Sequence, residues 1–369
     1  MEIKNIKIDK IIAGGDGLGF LDGKAHFVPQ SLPGEIVEIE VVESKKGFNR
    51  CNIIKIVKPS EHRSTPFCHL YKECGGCNMQ YTTYENQLTL KKAMVRDIFL
   101  RNGKIDLPDF CFFESKSTAY RNRVQFHVSG NKVGFKKKQS NHVINVDSCP
   151  LLVESLNNYL TLDTELKSDR ITVFSDGYRN YIGEVDDECS ITLNSKTISF
   201  NPGAFFQSNL SILPSLLSHL NNYICGTSVM DLYCGVGLFS SFLPESVSEI
   251  IAVEMDSRVK PFIKKNLGDR NYSFYGMSLE DYIQRGLHKK NRIDTIIVDP
   301  PRKGLSSGVR EFLIKSNVKR IIYVSCDPTT MARDIADLNR NGYLLTHFSC
   351  FDFYPNTNHV EAFGVLDIV

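Results

Sequence analysis

Tryptophan, net charge and long apolar runs are all scarce in this sequence. With no tryptophan in 369 residues, aromatic stacking on a nucleic-acid base would have to come from tyrosine, phenylalanine, histidine or arginine. The 44 lysines and arginines nearly balance the 42 aspartates and glutamates, which leaves a formal net charge of +2. This balance excludes a generally basic protein, so a polyanionic partner would have to bind a local basic surface.

Segments that direct proteins out of the cell or into membranes are also missing from the pattern. The start, Met1-Glu2-Ile3-Lys4, has no apolar core of an export signal. No apolar run approaches the roughly 20 residues that span a bilayer. We therefore expect a cytoplasmic protein without a membrane partner. A hydrophobic fraction of 42% and a charged fraction of 23% predict two or three folded domains.

Cysteine, in contrast, is plentiful, with 11 residues spread along the chain. In a reducing compartment, an odd number over this length favours metal ligation or catalysis over a disulfide framework. Cys68-x₅-Cys74-x₂-Cys77, together with the remote Cys149, supplies enough thiols to surround one metal centre. Three clustered cysteines plus one distant cysteine favour an iron–sulfur site over structural zinc. Zinc and unliganded thiols remain as alternatives.

Turn and strand patterns predict three domains, at residues 1–58, 59–196 and 197–369. In the first, short β-rich runs alternate with glycine and proline turns, which predicts a small OB-like β-barrel. The second is predicted to be α+β, with strands over 120–150 and a helix over about 84–102 that is a candidate to pack on the third domain. In the third, apolar strands alternate with helical segments, which predicts an α/β domain with a largely parallel sheet.

One stretch of the second domain is strongly basic. Residues 115–146 contain no acidic residue and seven basic ones, which are Lys116, Arg121, Arg123, Lys132, Lys136, Lys137 and Lys138. A charge run of this kind is either a solvated face or an RNA-binding surface. Tyr120, Phe126 and Phe135, which lie between the charges, would suit RNA.

Four strands of the third domain are predicted to end in polar side chains. The strands at 228–232, 250–253, 295–298 and 321–324 precede Tyr233, Glu254, Asp299 and Cys326, respectively. Ligands of open α/β sheets bind at the carboxyl ends of the strands. We therefore expect these side chains to converge on one crevice.

A nucleotide-type cofactor is indicated by the turn from Asp231 to Gly237. Its two glycines, Gly235 and Gly237, follow a buried strand at a point where backbone can approach a ligand closely. Glu254 comes 19 positions after Gly235, where an acid would accept hydrogen bonds from ribose hydroxyls. NAD and S-adenosylmethionine both carry such a ribose, and a purely structural turn with a surface glutamate is the alternative.

Asp299-Pro-Pro-Arg-Lys-Gly304 favours S-adenosylmethionine. The two prolines fix φ and hold Asp299 at the rim of the crevice, and a hydride-transfer enzyme does not need such a segment. Upstream, the amide-rich stretch 201–209 includes Gln207 and is suited to enclosing a cofactor. Core packing with a helix cap would explain that stretch equally well.

Cys326 is the candidate nucleophile and Glu361 is the candidate base. Cys326 lies at a strand end before a helical segment, Met331 to Leu338, and we expect the helix N-terminus and nearby N–H groups to favour its thiolate. Glu361 precedes an apolar strand, Phe363 to Val369. The alternatives are a buried inert cysteine and a surface acid at a strand edge.

Five motifs in the same order resemble those of the RNA uracil-5-methyltransferases. They are Phe-Phe-Gln207-Ser-Asn, Asp231-Leu-Tyr-Cys-Gly, Asp299-Pro-Pro-Arg-Lys-Gly, Ser325-Cys326-Asp-Pro and His359-Val-Glu361. The resemblance implies a Rossmann-like class I methyltransferase domain that uses S-adenosylmethionine, with cofactor contacts from Gln207, Tyr233, Glu254 and Asp299. Residues 1–58 resemble the RNA-binding TRAM domain. Relatives carry a [4Fe-4S] cluster on cysteines that correspond to Cys68, Cys74, Cys77 and Cys149, where a structural or RNA-positioning role is expected.

The resemblance also implies a covalent mechanism. Carbon 5 of uracil is a poor nucleophile, so Cys326 must first add to carbon 6. Carbon 5 then takes the methyl group, and Glu361 removes its proton so that the cysteine can leave. We expect a monomer acting on ribosomal RNA, with transfer RNA as the alternative substrate. A methyltransferase for protein or small molecules and an inactive RNA-binding scaffold are the competing interpretations.

Two residues depart from the family pattern. Leu238 follows the glycine turn where several relatives have asparagine, and Asp327 replaces the common asparagine after Cys326. The first change removes at most one cofactor contact. The second puts a carboxylate next to the thiol, and this would raise the pKa of Cys326 if the two side chains point together.

Overall fold

The computed structural model describes residues 3–130, 132–161, 168–290 and 292–369. The strands are β1 Lys4–Lys7, β2 Lys10–Ile11, β3 Gly17–Leu21, β4 Lys24–Val28, β5 Ile36–Ser44, β6 Phe48–Lys58, β7 Cys111–Phe113, β8 Arg123–Ser129, β9 Lys132–Lys136, β10 Val143–Asn145, β11 Arg170–Ser175, β12 Asn180–Ile182, β13 Cys189–Leu193, β14 Lys196–Phe200, β15 Ser228–Leu232, β16 Glu249–Glu254, β17 Tyr272–Gly276, β18 Thr295–Val298, β19 Arg320–Ser325, β20 Tyr343–Phe351 and β21 Glu361–Ile368. The helices are α1 Tyr84–Ile98, α2 Glu154–Leu160, α3 Leu213–Asn221, α4 Leu238–Phe242, α5 Lys260–Leu267, α6 Leu279–Gln284, α7 Ser307–Ser316 and α8 Pro328–Arg340.

The first six strands form one mixed sheet in the order β1-β5-β6-β4-β3-β2. Alternating apolar side chains build a small separate core, made of Ile6, Ile8, Val28, Val37, Ile39 and Cys51. Gly19 is required for close packing, because a Cβ at this position would collide with the carbonyl oxygen of Lys7. The β-rich runs and intervening turns that the sequence predicts over 1–58 correspond to these strands.

A second sheet of five strands, in the order β10-β9-β8-β11-β12, occupies the middle of the chain. All its neighbouring strands pair antiparallel. Strands β8 to β10 fall within the stretch 120–150 where the sequence predicts strands, and α2 packs against the sheet through Leu156 and Tyr159. The basic residues of the run 115–146 are therefore distributed over a folded sheet and its loops.

The largest sheet has eight strands in the order β17-β16-β15-β18-β19-β21-β20-β7. Neighbours from β17 to β19 are parallel, and β21 runs antiparallel to both β19 and β20. Three strands, β15, β16 and β18, are almost entirely buried, and β16 and β18 are rich in valine and isoleucine, as expected where helices cover both faces of a parallel sheet. The predicted α/β organisation of residues 197–369 agrees with this sheet.

Helix α1 packs against this largest sheet although it lies far upstream in sequence. Thr83 caps its first turn, since the Thr83 side chain accepts a hydrogen bond from the backbone N–H of Asn86. Met94, Val95 and Ile98 join the same apolar core as Met331 and Ile335 of α8. The predicted helix over 84–102 ends as an α-helix at Ile98 and continues as one π-helical turn, Phe99–Gly103.

Strand β7 also brings an upstream segment to the largest sheet, where it pairs parallel to β20. Thus α1 and β7, both from residues 59–196, complete one face and one edge of the downstream domain. Within the described ranges, no helix combines the length and apolar composition needed to cross a membrane.

Candidate active site and cysteine site

The four predicted strand ends lie side by side. Strands β16, β15, β18 and β19 are consecutive in the sheet, and their parallel pairing puts all their carboxyl ends at one edge. Glu254 ends β16, Tyr233 follows β15, Asp299 follows β18 and Cys326 follows β19. Sheet order, which the sequence pattern did not specify, therefore brings these side chains to one crevice.

The glycine turn after β15 is open on its outer side. Tyr233, Gly235 and Gly237 all have positive φ, at 61°, 52° and 75°, and this conformation favours glycine at the last two positions. A Cβ placed on Gly235 would meet no atom within 4 Å. Ligand atoms can therefore approach the backbone at this turn.

Glu254 and Asp231 place two carboxylates next to this turn. Oε2 of Glu254 accepts a hydrogen bond from the Gly235 backbone N–H at 3.1 Å, and Oε1 accepts from the Asp256 N–H at 2.9 Å. Each carboxylate oxygen keeps a lone pair that can accept from a ribose hydroxyl. Asp231 is buried and bonded through Oδ2 to Ser240, whereas its Oδ1 has no hydrogen-bond partner among the described residues. The hydroxyl groups of a bound nucleoside would donate hydrogen bonds to these carboxylates, so the two residues fit S-adenosylmethionine.

Gln207 lies on the loop between β14 and α3 and is buried. Neighbouring residues fasten this loop to the segment that leads to Glu361, because the Asn209 side chain donates to the Phe353 carbonyl oxygen at 3.1 Å. Phe206, on the other side of Gln207, stacks on Phe200 with ring centroids 3.8 Å apart. The expected core packing is thus present, α3 begins at Leu213 without a side-chain cap from Ile212, and enclosure of a cofactor by Gln207 stays a prediction.

Cys326 and Glu361 stand opposite each other. Strands β19 and β21 pair antiparallel with Ser325 opposite Ala362, and Cys326 and Glu361 are the next positions along. Cys326 is half-buried, while Glu361 is only 4% exposed. Glu361 is therefore not a surface acid at a strand edge, since β19 and β20 cover it on both sides.

The electrostatic environment of Cys326 is the reverse of the one expected from sequence. Burial, then Glu361 and Asp299, raise the pKa of the Cys326 thiol to about 12. The first amides of α8 do not offset this, because the Asp327 carboxylate accepts from the N–H groups of Thr329 and Thr330 at 2.8 and 3.3 Å. The expectation that this helix N-terminus favours the thiolate is wrong. Asp327 also raises the thiol pKa, though less than Glu361 and Asp299 do, and its carboxylate caps α8.

Arg302 is a site residue to which sequence reasoning assigned no role. Its positive charge lowers the pKa of both Cys326 and Glu361. Burial and the neighbouring Asp299 act in the other direction and hold the pKa of Glu361 well above its usual range. The signal was present in the sequence, because Arg302 belongs to the motif that begins at Asp299.

The four predicted metal-ligating cysteines line one cavity in the second part of the chain. Cys68, Cys74, Cys77 and Cys149 share it with Tyr71, Gln80, Arg121 and Phe135. Burial and then the neighbouring Cys149 raise the pKa of Cys77 to about 12, so these two thiols lie close together despite their separation in sequence. Within the described ranges, no three His, Cys, Asp or Glu side chains are close enough to hold a single metal ion.

Backbone contacts hold the two cysteine segments in place. Residues 73–75 pair with the basic strand β9 and the turn after it, since Gly75 N–H donates to the Lys136 carbonyl oxygen and Lys138 N–H donates to the Glu73 carbonyl oxygen. Cys149 is fixed by Asn157, whose side chain accepts from the Cys149 N–H at 2.7 Å and donates to its carbonyl oxygen at 3.1 Å. The basic run and the cysteine loop are therefore one structural unit.

Comparisons with known proteins agree with this architecture. Residues 178–368 match the family model described as tRNA (uracil-5-)-methyltransferase, and residues 2–53 match the TRAM domain. An uncharacterized RNA methyltransferase from Treponema denticola is 32% identical in an alignment that covers 99% of both chains. The 23S rRNA (uracil(1939)-C(5))-methyltransferase RlmD from Aliivibrio fischeri is 28% identical over 99% of this chain and 96% of its own length.

A solved structure resembles the whole fold. The Pyrococcus abyssi tRNA (uracil-54, C5)-methyltransferase, determined in complex with S-adenosyl-L-homocysteine, superposes with a TM-score of 0.71 at 21% identity. The alignment covers 98% of this chain and all of that one. The chain therefore belongs to the family of RNA uracil-5-methyltransferases, enzymes that transfer a methyl group from S-adenosylmethionine, and it carries their TRAM domain.

Proposed function

We propose that this protein methylates carbon 5 of a specific uridine in RNA, with Cys326 as nucleophile and Glu361 as base. The observation that carries the proposal is the opposition of Cys326 and Glu361 at the ends of β19 and β21, with Asp299 at the end of the neighbouring strand β18. A methyltransferase for protein or small molecules would have no use for a nucleophile at this point.

Each step follows from one of these side chains. The Cys326 thiol gives its proton to solvent and Sγ bonds to carbon 6 of uracil, which turns the ring into an enolate. When bound, S-adenosylmethionine would supply an electrophilic methyl group, to which carbon 5 bonds while the bond between the methyl group and sulfur breaks and S-adenosylhomocysteine is left. Glu361 then accepts the carbon-5 proton, the bond between Sγ and carbon 6 breaks, and the ring regains its double bond.

Arg302 and the buried carboxyls set the proton affinities for these steps. A high pKa makes Glu361 a stronger base once it is ionised. Arg302 favours the ionised form of both Glu361 and the Cys326 thiolate, since its charge lowers both pKa values. We assign the cofactor contacts to Gln207, Tyr233, Glu254 and Asp299, with Glu254 accepting hydrogen bonds from the ribose hydroxyls.

We infer that ribosomal RNA is the substrate. Relatives that act on 23S rRNA match nearly the full length of both chains, whereas the tRNA-modifying structure shares only 21% identity. Transfer RNA is the second candidate, because that structure has the same fold over its entire length.

The first prediction separates these two substrates. With labelled S-adenosylmethionine, the protein should methylate a 23S rRNA transcript and leave unmodified tRNA unlabelled. Nucleoside digestion should place the label in 5-methyluridine, and the Cys326→Ala variant should give none. Labelled tRNA with unlabelled rRNA would reverse the assignment, and label in another nucleoside would refute uracil methylation.

We also propose that Cys68, Cys74, Cys77 and Cys149 hold a [4Fe-4S] cluster. Four thiols around one cavity are the donor set of such a cluster. A zinc ion bonds each sulfur at about 2.3 Å and would need the thiols gathered tightly around one point. Three clustered cysteines with one remote cysteine favour the iron–sulfur cluster over structural zinc. The cluster would supply no electron to methyl transfer, so its role is structural.

The basic run is proposed to bind RNA through Lys136 and Lys137, which are exposed. Their partners are exposed side chains, Asn141 for Lys136 and Glu73 for Lys137. Lys138 is half-buried instead, and its ammonium group donates to the Tyr71 carbonyl oxygen at 2.8 Å and lies 4.4 Å from the centroid of the Tyr71 ring. Its side chain supports the cysteine loop and is not free to follow a phosphate backbone.

The second prediction follows from this difference. Replacing both Lys136 and Lys137 by Gln should weaken RNA binding and reduce the slope of log affinity against log salt by about one for each phosphate that is no longer neutralised. Lys138→Gln is the matched control and should leave that slope unchanged. Binding titrations at several salt concentrations measure it, and an unaltered slope in the double variant would return the run to a solvated face.

A further inference from the structure

The segment 352–358, which leads into the proposed base Glu361, is mostly buried and is bonded to other parts of the chain. Asp352 and Asn356 are 0% and 2% exposed, and Asn356 has a positive φ of 66°. The segment is irregular, so its backbone groups need partners from elsewhere in the chain. Two segments far upstream provide half of those partners, and residues 113–120 together with Asn209 provide the others.

Helix α1 holds the first side of this segment. The Lys91 ammonium group donates to Oδ1 of Asp352 at 2.7 Å and to the Tyr354 carbonyl oxygen at 3.1 Å, in a fully buried pair. One turn earlier, Gln87 accepts from the Asn356 N–H at 2.8 Å and donates to the Asn356 side chain at 3.2 Å. Both side chains bind the segment directly and so fix its position against the helix.

The cysteine loop holds the second side. Asn78, the residue directly after Cys77, exchanges two hydrogen bonds with Asn358. Its Nδ2 donates to Oδ1 of Asn358 at 2.6 Å, and its Oδ1 accepts from the Asn358 N–H at 2.9 Å. The backbone N–H groups of Asn78 and Met79 both donate to the Asn356 carbonyl oxygen, at 3.1 and 3.0 Å.

We infer that Asn78 and helix α1 clamp the segment 352–358 and thereby position the base Glu361, with Asn78 as a positioning residue. The inference rests on the proposed role of Glu361. Asn358 is only three residues before Glu361 in the chain. A shift of Asn358 should therefore also shift the Glu361 carboxylate. Because Asn78 adjoins Cys77, the cysteine loop contacts this segment directly.

Helix α1 and the cysteine loop both contact this segment through hydrogen bonds. Both lie between residues 54 and 177, outside the two stretches that match family models. The buried pair of Lys91 and Asp352 is a poor stabilising device, because burying two charges costs about as much as their attraction returns. It does fix one geometry for the segment, since displacing the segment would leave both charges buried without each other.

The test uses Asn78→Ala, Asn358→Ala and the double variant, since losing a buried Lys91 would risk the fold itself. Hydrogen–deuterium exchange of peptides that cover 352–361 reports the clamp without any need for activity. We expect faster exchange there in all three variants, with iron content and exchange in β18 and β19 equal to wild type. Asn358→Ala removes only one of the two bonds, because the Asn358 backbone N–H can still donate to Asn78, so it should have the smaller effect, and the double variant should match Asn78→Ala.

Turnover gives the second measurement. A misplaced base should slow elimination and not adduct formation, so each variant should lose about ten- to a hundredfold in turnover and accumulate more covalent protein–RNA adduct than wild type at unchanged cofactor affinity. Asn271→Ala is the control, because it deletes an asparagine side-chain hydrogen bond that lies at the opposite edge of the sheet, at an exposed position.

Wild-type exchange in 352–361 for Asn78→Ala, or additive losses in the double variant, would overturn the inference. Failure of the proposed function looks different. In that event the wild-type protein itself forms no adduct with uridine-containing RNA, while the exchange experiment still decides whether Asn78 holds the segment.

Discussion

The Glu361→Gln variant should transfer the methyl group once and then remain covalently attached to its RNA. Glutamine keeps the size and position of the side chain but cannot accept the carbon-5 proton, so elimination of Cys326 stalls. We expect turnover to fall by about 100- to 10,000-fold, the usual contribution of a positioned base. Denaturing electrophoresis with labelled cofactor should show a protein–RNA species that carries the methyl group and outlasts that of wild type.

Two further variants make this result specific. The Cys326→Ala, Glu361→Gln double variant should give no covalent species, because no sulfur is available to bond carbon 6. Glu311→Gln changes an exposed acid of α7 that pairs with the neighbouring Lys315, and it should behave as wild type. Normal turnover in Glu361→Gln, or an inactive variant without adduct at saturating cofactor, would move the base to another residue.

The second large effect is expected at the cysteine cavity. Protein purified without oxygen should be brown and contain about four irons per chain. Cys77→Ser should lose the colour and most of the iron, because its thiol is among the most buried of the four and lies next to Cys149. Loss of a structural metal group from a site that ties several segments together should also lower Tm and solubility.

Iron analysis and visible absorbance measure this directly, and Cys111→Ser provides the matched control. Cys111 is exposed on β7 and does not line the cavity, so its replacement should leave iron content and Tm unchanged. Stoichiometric zinc without visible absorbance in the wild-type protein would contradict the iron–sulfur assignment. Colour that survives in Cys77→Ser would remove that cysteine from the ligand set.

Local patterns were sufficient for much of the site. The strands before Tyr233, Glu254, Asp299 and Cys326 were predicted within one or two residues of their observed ends, because buried parallel strands are continuous apolar runs bounded by turn residues. The residues that end these strands face one edge for the same reason, since parallel strands share a direction.

Those local patterns could not predict which distant segments interact. The sequence placed Cys326 beside a helix N-terminus, and this suggested an activated thiolate. In the structure Asp327 accepts from the first amides of the helix, and burial, followed by Glu361 on another strand, raises the thiol pKa. A pKa depends on burial and on charges brought close by folding, and neither is encoded in spacing along the chain.

The sequence alone therefore determined which reactive groups are available: a thiol, a carboxylic acid, the acidic residues at two strand ends and four further cysteines. Strand periodicity and turn residues set the local position of each group. Tertiary structure decided how they act together. Antiparallel pairing of β19 and β21 sets Cys326 opposite Glu361, and packing of α1 and the cysteine loop fixes the segment that carries the acid. Side chains 261 and 280 residues apart meet there, because burial of apolar surface selects the global packing, whereas local sequence fixes only the elements that are packed.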